Sequence, residues 1–163
     1  MRCGSTHWLY LYSVGKLVGA GGGAQAFELL PSPAEVLRRS LLLNNLKQCR
    51  VHVVGLGSTG ARITLARGLT YMGSLYTPTQ SLAGTNSEDC EVVRLDDYCA
   101  VHQMPPPHFI KIDIESAEVD ALHGARQTLL DTTPTPFVEF HRRMGSICLP
   151  NLDTPFNYLL RQY

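Results

Sequence analysis

A chain of 163 residues fits one domain and can bury about 70% of its unfolded surface without a metal or disulfide staple. Hydrophobic residues at 44% against charged residues at 17% exclude wholesale disorder. Lys and Arg (14) balance Asp and Glu (14), so no excess of base exists for a broad nucleic-acid footprint, and no nucleic-acid partner is expected.

No window approaches the roughly 18 consecutive apolar residues of a spanning helix, so no membrane partner is expected. Arg2, the apolar run Trp8–Val14 and Ala24-Gln25-Ala26 have a faint signal-peptide look. Lys16 interrupts that run and Gly19–Gly23 breaks it, which favours a cytoplasmic chain. Five scattered cysteines without a CxxC agree with a reducing compartment.

Residues 7–18 read as a short helix and Gly19–Gly23 as a turn. Ala24–Phe27 is a short strand ending on Glu28. Pro31, Ser32 and Pro33 mark a helix start, with Ser32 as N-cap and Pro33 at the first helical position. Val36, Leu37, Ser40, Leu41 and Leu43 form its expected apolar face, and Asn44-Asn45 its end. Arg50–Val54 is a β-branched strand, and Ala61–Arg67 alternates with period two. Gly73–Glu88 is polar and breaker-rich, hence a loop; Glu91–Leu95 is a strand.

Asp96 or Asp97 is expected to cap a helix reaching about Val101. Met104–Pro107 is a rigid loop. Phe109–Ile114 is the strongest strand, and Ser116 is expected to cap a helix over about 117–130 with Val119, Leu122, Ala125 and Leu129 inward. Pro134 and Pro136 interrupt the chain before a strand at Phe137–Phe140, and Leu159 and Leu160 fall in a final helix. Apolar strands separated by helical segments predict a single α/β domain with a mostly parallel sheet.

Two segments carry chemistry. Gly55-Leu56-Gly57-Ser58-Thr59-Gly60 fits G-x-G-x-x-G after a strand, the dinucleotide-binding pattern of an NAD(P)-dependent oxidoreductase. That reading wants a helix next and an acid about 20 residues on. Here the next residues alternate as a strand, and no Asp or Glu lies between Glu35 and Glu88. A glycine-rich turn leading to a strand is the better reading.

The second is Phe109–Glu115. Ile110, Ile112 and Ile114 make one face greasy, while Lys111, Asp113 and Glu115 line the other. Three charges on one face of a buried strand each need a partner, unless they meet ligand at the carboxyl edge of the sheet. Glu118 and Asp120 follow in the first turn of the next helix, where acids complement the dipole. Glu28 stands at another strand end, where a carboxylate can accept ribose hydroxyls. Asp113, Glu115, Glu139 and His141 form too nonspecific a set to predict a metal.

In combination these segments resemble the FkbM-type methyltransferase family. The most specific match is FIKIDIESAEVDALHGARQTL at 109–129, similar to the family's K-I-D-x-E-G-A-E segment and the helix behind it. AFELLPSP at 26–33, LLLNN at 41–45, VVGLGSTG at 53–60, VRLDDY at 93–98 and VEFH at 138–141 match in order. The resemblance spans about residues 15–160. It implies a Rossmann-like, mostly parallel sheet of the class I methyltransferase type, with S-adenosylmethionine as cofactor and a hydroxyl of a small molecule or sugar as methyl acceptor. It places Glu28 on the cofactor's ribose and Leu56 against adenine. Asp113 falls beside the methionine end and the acceptor, with Lys111 and Glu115 near it; Glu139 and His141 face the acceptor, His141 placed to assist proton removal.

Ser116 stands where the family has glycine, and Met1–Trp8 falls where it has an acidic, glycine-rich cofactor loop. The sheet is therefore expected to lack the first strand and the last ones, leaving cofactor binding weak. A non-catalytic, methyltransferase-like fragment is the alternative.

Overall fold

A computed structural model describes residues 5–19, 21–66, 87–114 and 117–139. The order is α1 (Ser5–Leu17), β1 (Ala24–Phe27), α2 (Pro31–Leu43), β2 (Cys49–His52), β3 (Gly55–Leu56), β4 (Ala61–Ala66), β5 (Ser87–Val93), α3 (Leu95–Val101), β6 (Phe109–Ile112), α4 (Glu118–Gly124), α5 (Arg126–Thr132) and β7 (Thr135–Val138). The α/β class is as the sequence implies, but among the described residues the strands form three small sheets instead of one. β1 pairs with β2 and β6 with β7, both parallel. β5 pairs parallel with β3 and antiparallel with β4.

Two clusters of side chains hold these pieces. The first joins Leu11 of α1, Ala34, Leu37 and Leu41 of α2, and Ala24, Leu46, Cys49 and Val51. The second joins Leu95, Ile112, Ala121, Leu122, Ala125 and Leu129, with Phe27, Leu56, Ile110, Ile114 and Val138 against it. The three isoleucines of the β6 segment thus share one greasy face, as their alternation predicts.

Several boundaries differ for local reasons. α2 begins two residues earlier than expected, with Pro31 as its first residue and extended Leu30 as N-cap. Pro31 already has the helical φ and needs no donor, so Ser32 is not needed as a cap. Its hydroxyl donates instead to Glu88 at 3.4 Å. Ala34, Leu37 and Leu41 face the core, while Val36 and Leu43 of the expected face are exposed.

β5 starts at Ser87 because β4 pairs along its whole length, Ala66 opposite Ser87 through Ala61 opposite Val92. The segment expected as one helix is two, α4 and α5, meeting at Ala125. Val119 is exposed, and the inward positions are Glu118, Ala121, Leu122, Ala125 and Leu129. Pro136 does not interrupt β7; it lies within it, opposite Ile110. The Thr135 and Glu139 N–H groups bond the His108 and Ile112 carbonyls on the β6 side, so the missing donor at Pro136 falls on the other edge, where a proline is tolerated. Gly73–Asn86, Ser116 as a cap and the helix at Leu159-Leu160 lie outside the described residues.

Candidate functional site

The glycine motif is structural. Gly55 and Leu56 form β3, and Ala61–Ala66 is a strand, so the helix that a dinucleotide site requires does not follow the motif. The nicotinamide reading is set aside on that ground. The first two glycines are there for packing: a Cβ on Gly55 would lie 2.8 Å from Leu29 Cδ1, and one on Gly57 2.8 Å from Val92 Cγ1. A Cβ on Gly124, at the end of α4, would run into the Gly57 carbonyl oxygen. Ser58 fastens the same seam, its hydroxyl donating to Asp120 at 3.2 Å. Asp120 therefore holds the turn as well as complementing the helix dipole.

Leu56 packs against the second cluster beside Ile112 and Leu122. It is half-buried, so part of its side chain stays exposed beside that cluster.

Glu28 stands just past β1, its N–H bonded to the His52 carbonyl at 2.9 Å. Its Oε1 accepts the Leu30 N–H at 3.0 Å, folding the carboxylate over the entrance to α2. One oxygen is anchored and the second is left to accept a hydroxyl. Among the described residues nothing joins Glu28 to Lys111 or Asp113.

Lys111 and Asp113 are brought together. β6 ends at Ile112 and Asp113 lies immediately past it, not inside the strand as its sequence position suggested. Spacing of two puts both side chains on one face. Lys111 Nζ donates to Asp113 Oδ2 at 2.7 Å, with the two side chains only 18% and 16% exposed. The ammonium also lies 5.3 Å from the Tyr10 ring centroid, and burial pushes the Tyr10 phenol pKa up. A carboxylate on one side and a ring face on the other hold the cation in a place where a lone charge would be costly. The Glu139 N–H bonds the Ile112 carbonyl at 2.9 Å. Asp113 and Glu139 therefore follow directly on adjacent parallel strands. Glu115 and His141 lie outside the described residues, and among the described residues no three metal-ligating side chains converge.

The sequence reasoning missed two residues here. Tyr10 carried no signal, since its partner is 101 positions away along the chain. Glu118 did carry one. It stands three and four residues before Ala121 and Leu122, which makes it an inward position. It is 2% exposed, and its Oε1 accepts the Ile114 N–H at 3.3 Å. It thus ties the end of the β6 segment to α4, more than complementing a dipole.

The model of the methyltransferase FkbM domain matches residues 7–161. The chain belongs to the FkbM methyltransferase family. A crystal structure of methyltransferase FkbM from Methylobacillus flagellatus KT is similar in fold, with a TM-score of 0.56 and 24% identity. The likeness covers 92% of this chain and 34% of that one, so this chain spans about a third of its length. No curated protein matches. FkbM membership gives a context to the Lys111–Asp113 segment, which is also the most specific part of the sequence resemblance.

Proposed function

We propose that this chain serves S-adenosylmethionine-dependent O-methylation, with a hydroxyl of a small molecule or sugar as acceptor. The observation that carries the reading is the Lys111–Asp113 pair at the carboxyl end of β6, beside the end of β7, in a chain of the FkbM methyltransferase family. In this reading β1, β2, β6 and β7 belong to one Rossmann-like arrangement whose strand ends face the ligand.

The residues fit the cofactor in part. Glu28 has a carboxylate oxygen suited to a ribose hydroxyl and an anchored partner oxygen that keeps it in place. Leu56, half-buried on the second cluster, offers part of an apolar side chain for adenine. When bound, the cofactor's sulfonium supplies the methyl group. This chain's part is to bind and orient. Asp113, pinned by Lys111, presents a fixed acceptor for an incoming hydroxyl, and Lys111 limits the cost of holding that carboxylate out of water. His141 is assigned proton removal, and Glu115 a place beside Asp113, by family resemblance.

Ligand-observed NMR of the 163-residue chain with S-adenosylmethionine tests this, with Glu28→Ala and NADH as controls. The expected result is binding of S-adenosylmethionine and not NADH, weakened about tenfold or more by Glu28→Ala, since a hydrogen bond to a charged group contributes about 1.5–3 kcal/mol and 1.4 kcal/mol is tenfold. Binding indifferent to Glu28 would remove that residue from the site. Absence of binding at millimolar cofactor would favour a non-catalytic, methyltransferase-like chain.

A further inference from the structure

α1 and α2 pack side by side over one face of β1 and β2. Leu11 of α1 and Leu37 and Leu41 of α2 reach down to Ala24 and Val51. The ends of the two helices are held together as well, since Gln48 Nε2, just past the turn after α2, donates to the Gly15 carbonyl at 2.7 Å. The opposite sides of the helices therefore form one outward surface that looks away from the sheet. On α1 it carries Leu9, Ser13, Lys16 and Leu17, the i, i+4, i+7 and i+8 positions of one stripe. On α2 it carries Val36, Arg39 and Leu43, at i, i+3 and i+7, with Leu42 on the flank.

The outer side of a helix that covers a sheet is ordinarily polar. Here Leu9, Val36, Leu43 and Leu17 are 55%, 63%, 76% and 85% exposed. A single exposed leucine needs no explanation, but a group on one surface does. The cations beside them are not spent on partners. Among the described residues neither Lys16 nor Arg39 enters an ion pair, and Lys16 leans on the Tyr12 ring, 5.7 Å from its centroid. Arg38 stands at the side, its guanidinium donating to the Val51 carbonyl at 3.0 Å. The whole chain is neutral, yet these two helices hold Lys16, Arg38 and Arg39 against the single acid Glu35. α1 has no acid, and after Glu35 none follows until Glu88.

We propose that this surface docks on an anionic lipid bilayer, with its aliphatic tips at the acyl-chain boundary and Lys16 and Arg39 on lipid phosphates. Aliphatic side chains interleaved with cations are what an interfacial helix presents to a membrane. The centre of a protein–protein interface is instead depleted of charge and enriched in aromatic side chains, whereas Lys16 and Arg39 stand among the exposed aliphatic tips themselves. The expectation of no membrane partner rests on spanning length, and among the described residues no helix is long and apolar enough to cross a membrane. Surface docking needs no span. It also leaves the candidate site open, because Glu28 and Asp113 stand at the carboxyl ends of β1 and β6, while this surface lies on the far side of the helix layer.

The probe is a vesicle of phosphatidylcholine with about one-quarter phosphatidylserine, beside one of phosphatidylcholine alone, each sedimented with the full chain. The mixed vesicle should bind about tenfold more tightly or better. Val36→Ser with Leu43→Ser should weaken binding to it about tenfold or more, since two apolar tips leave the interface. Lys16→Gln with Arg39→Gln should weaken it by a similar factor, at about fivefold per cation, and should leave binding to pure phosphatidylcholine unaffected. Val101→Ser, on α3 and 77% exposed but off this surface, should change neither. A nitroxide-bearing lipid in the mixed vesicle should broaden the methyl resonances of Leu9, Leu17, Val36 and Leu43 and spare those of Val101 and Leu130, a reading made on the wild-type chain alone. Equal binding to the two vesicles, or none, would overturn the proposal. So would broadening centred on Val101 or Leu130. Self-association that is lost in Val36→Ser with Leu43→Ser, without vesicle binding, would assign the surface to a second copy of this chain and overturn the proposal as well.

Discussion

The two side-chain clusters are assembled by different means. All eight buried members of the first come from residues 11–51, and each is aliphatic or a cysteine. The second gathers residues from Phe27 to Val138, and polar groups fasten its parts. Glu118 ties α4 to the end of β6, Ser58 with Asp120 ties α4 to the β3 turn, and Asp96 ties α3 to α5. Local apolar periodicity suffices to build a neighbourhood of the first kind. Parts distant in the chain need specific seams as well, and in this molecule the seams surround the candidate site.

The sharpest way to break this comparison is at the closest seam. A methyl group on Gly124 would meet the Gly57 carbonyl oxygen and lie 3.3 Å from Arg94 Cα, both backbone. Backbone cannot rotate away, so Gly124→Ala is expected to cost about 1–3 kcal/mol as overpacking, only partly offset by the roughly 1 kcal/mol helix preference of alanine. Gly21, which precedes β1 in the first region, has open space around it. Gly21→Ala should stay within about 0.5 kcal/mol of wild type. Urea denaturation of the two variants makes the comparison, and equal midpoints would show that the seam gives way freely.

A smaller effect is expected at Asp96. Its Oδ1 accepts the Thr128 N–H and Thr128 hydroxyl, both at 2.8 Å, and its Oδ2 accepts the Gln127 N–H at 3.0 Å. α5 begins at Arg126, so these are first-turn donors with no partner inside the helix. Asp96 is thus a cap acting across space on α5 instead of on its own helix, whose N-cap is Arg94. Asp96→Ala should cost about 0.5–2 kcal/mol, the range for loss of a helix cap. Asp97, 67% exposed beside Arg94 at 3.6 Å, is the matched control, and Asp97→Ala should be nearly neutral. If the two substitutions cost the same, the capping role fails.

Asp96 also shows where legibility in the sequence ends. A carboxylate before the apolar run Tyr98–Val101 was readable as a cap, but which helix it serves depends on contacts 31 and 32 residues away. The strands were legible because their periodicity is local, and so was the strand after Gly60, whose residues alternate. The charged face of 111 and 113 followed from the same alternation and placed both residues together. The subdivision of the sheet was not legible, because pairing is a property of two segments and each strand signal describes one. Glu118 was hidden by its chemistry: an acid in a first turn has a sufficient surface explanation, and only its phase with Ala121 and Leu122 argues otherwise.

The smallest expected effect lies on a contact that joins the two regions. His52 ends β2, Tyr98 belongs to α3, and His52 Nδ1 is 3.0 Å from the Tyr98 hydroxyl. Its Nε2 is 2.8 Å from Gln25 Oε1, so the neutral ring donates through Nε2 and accepts through Nδ1. Protonation would place a second donor where Tyr98 now donates. Burial lowers the His52 pKa below its ordinary 6.5, and the charges of His102, Arg50 and Arg38 lower it further. Above pH 6.5 both folded and unfolded chains hold this ring neutral, and its contribution to stability is complete. As pH falls from 6.5 toward the folded pKa, the unfolded chain binds more protons than the folded one, and stability declines. Below the folded pKa the loss levels off. Thermal unfolding between pH 7.5 and 5.5 should therefore show a falling midpoint in the wild type and a shallower fall in His52→Phe, which keeps a ring against Phe27 but cannot titrate. Parallel curves for the two proteins would mean that the acid sensitivity arises elsewhere, and that the bridge between the regions does not depend on this proton.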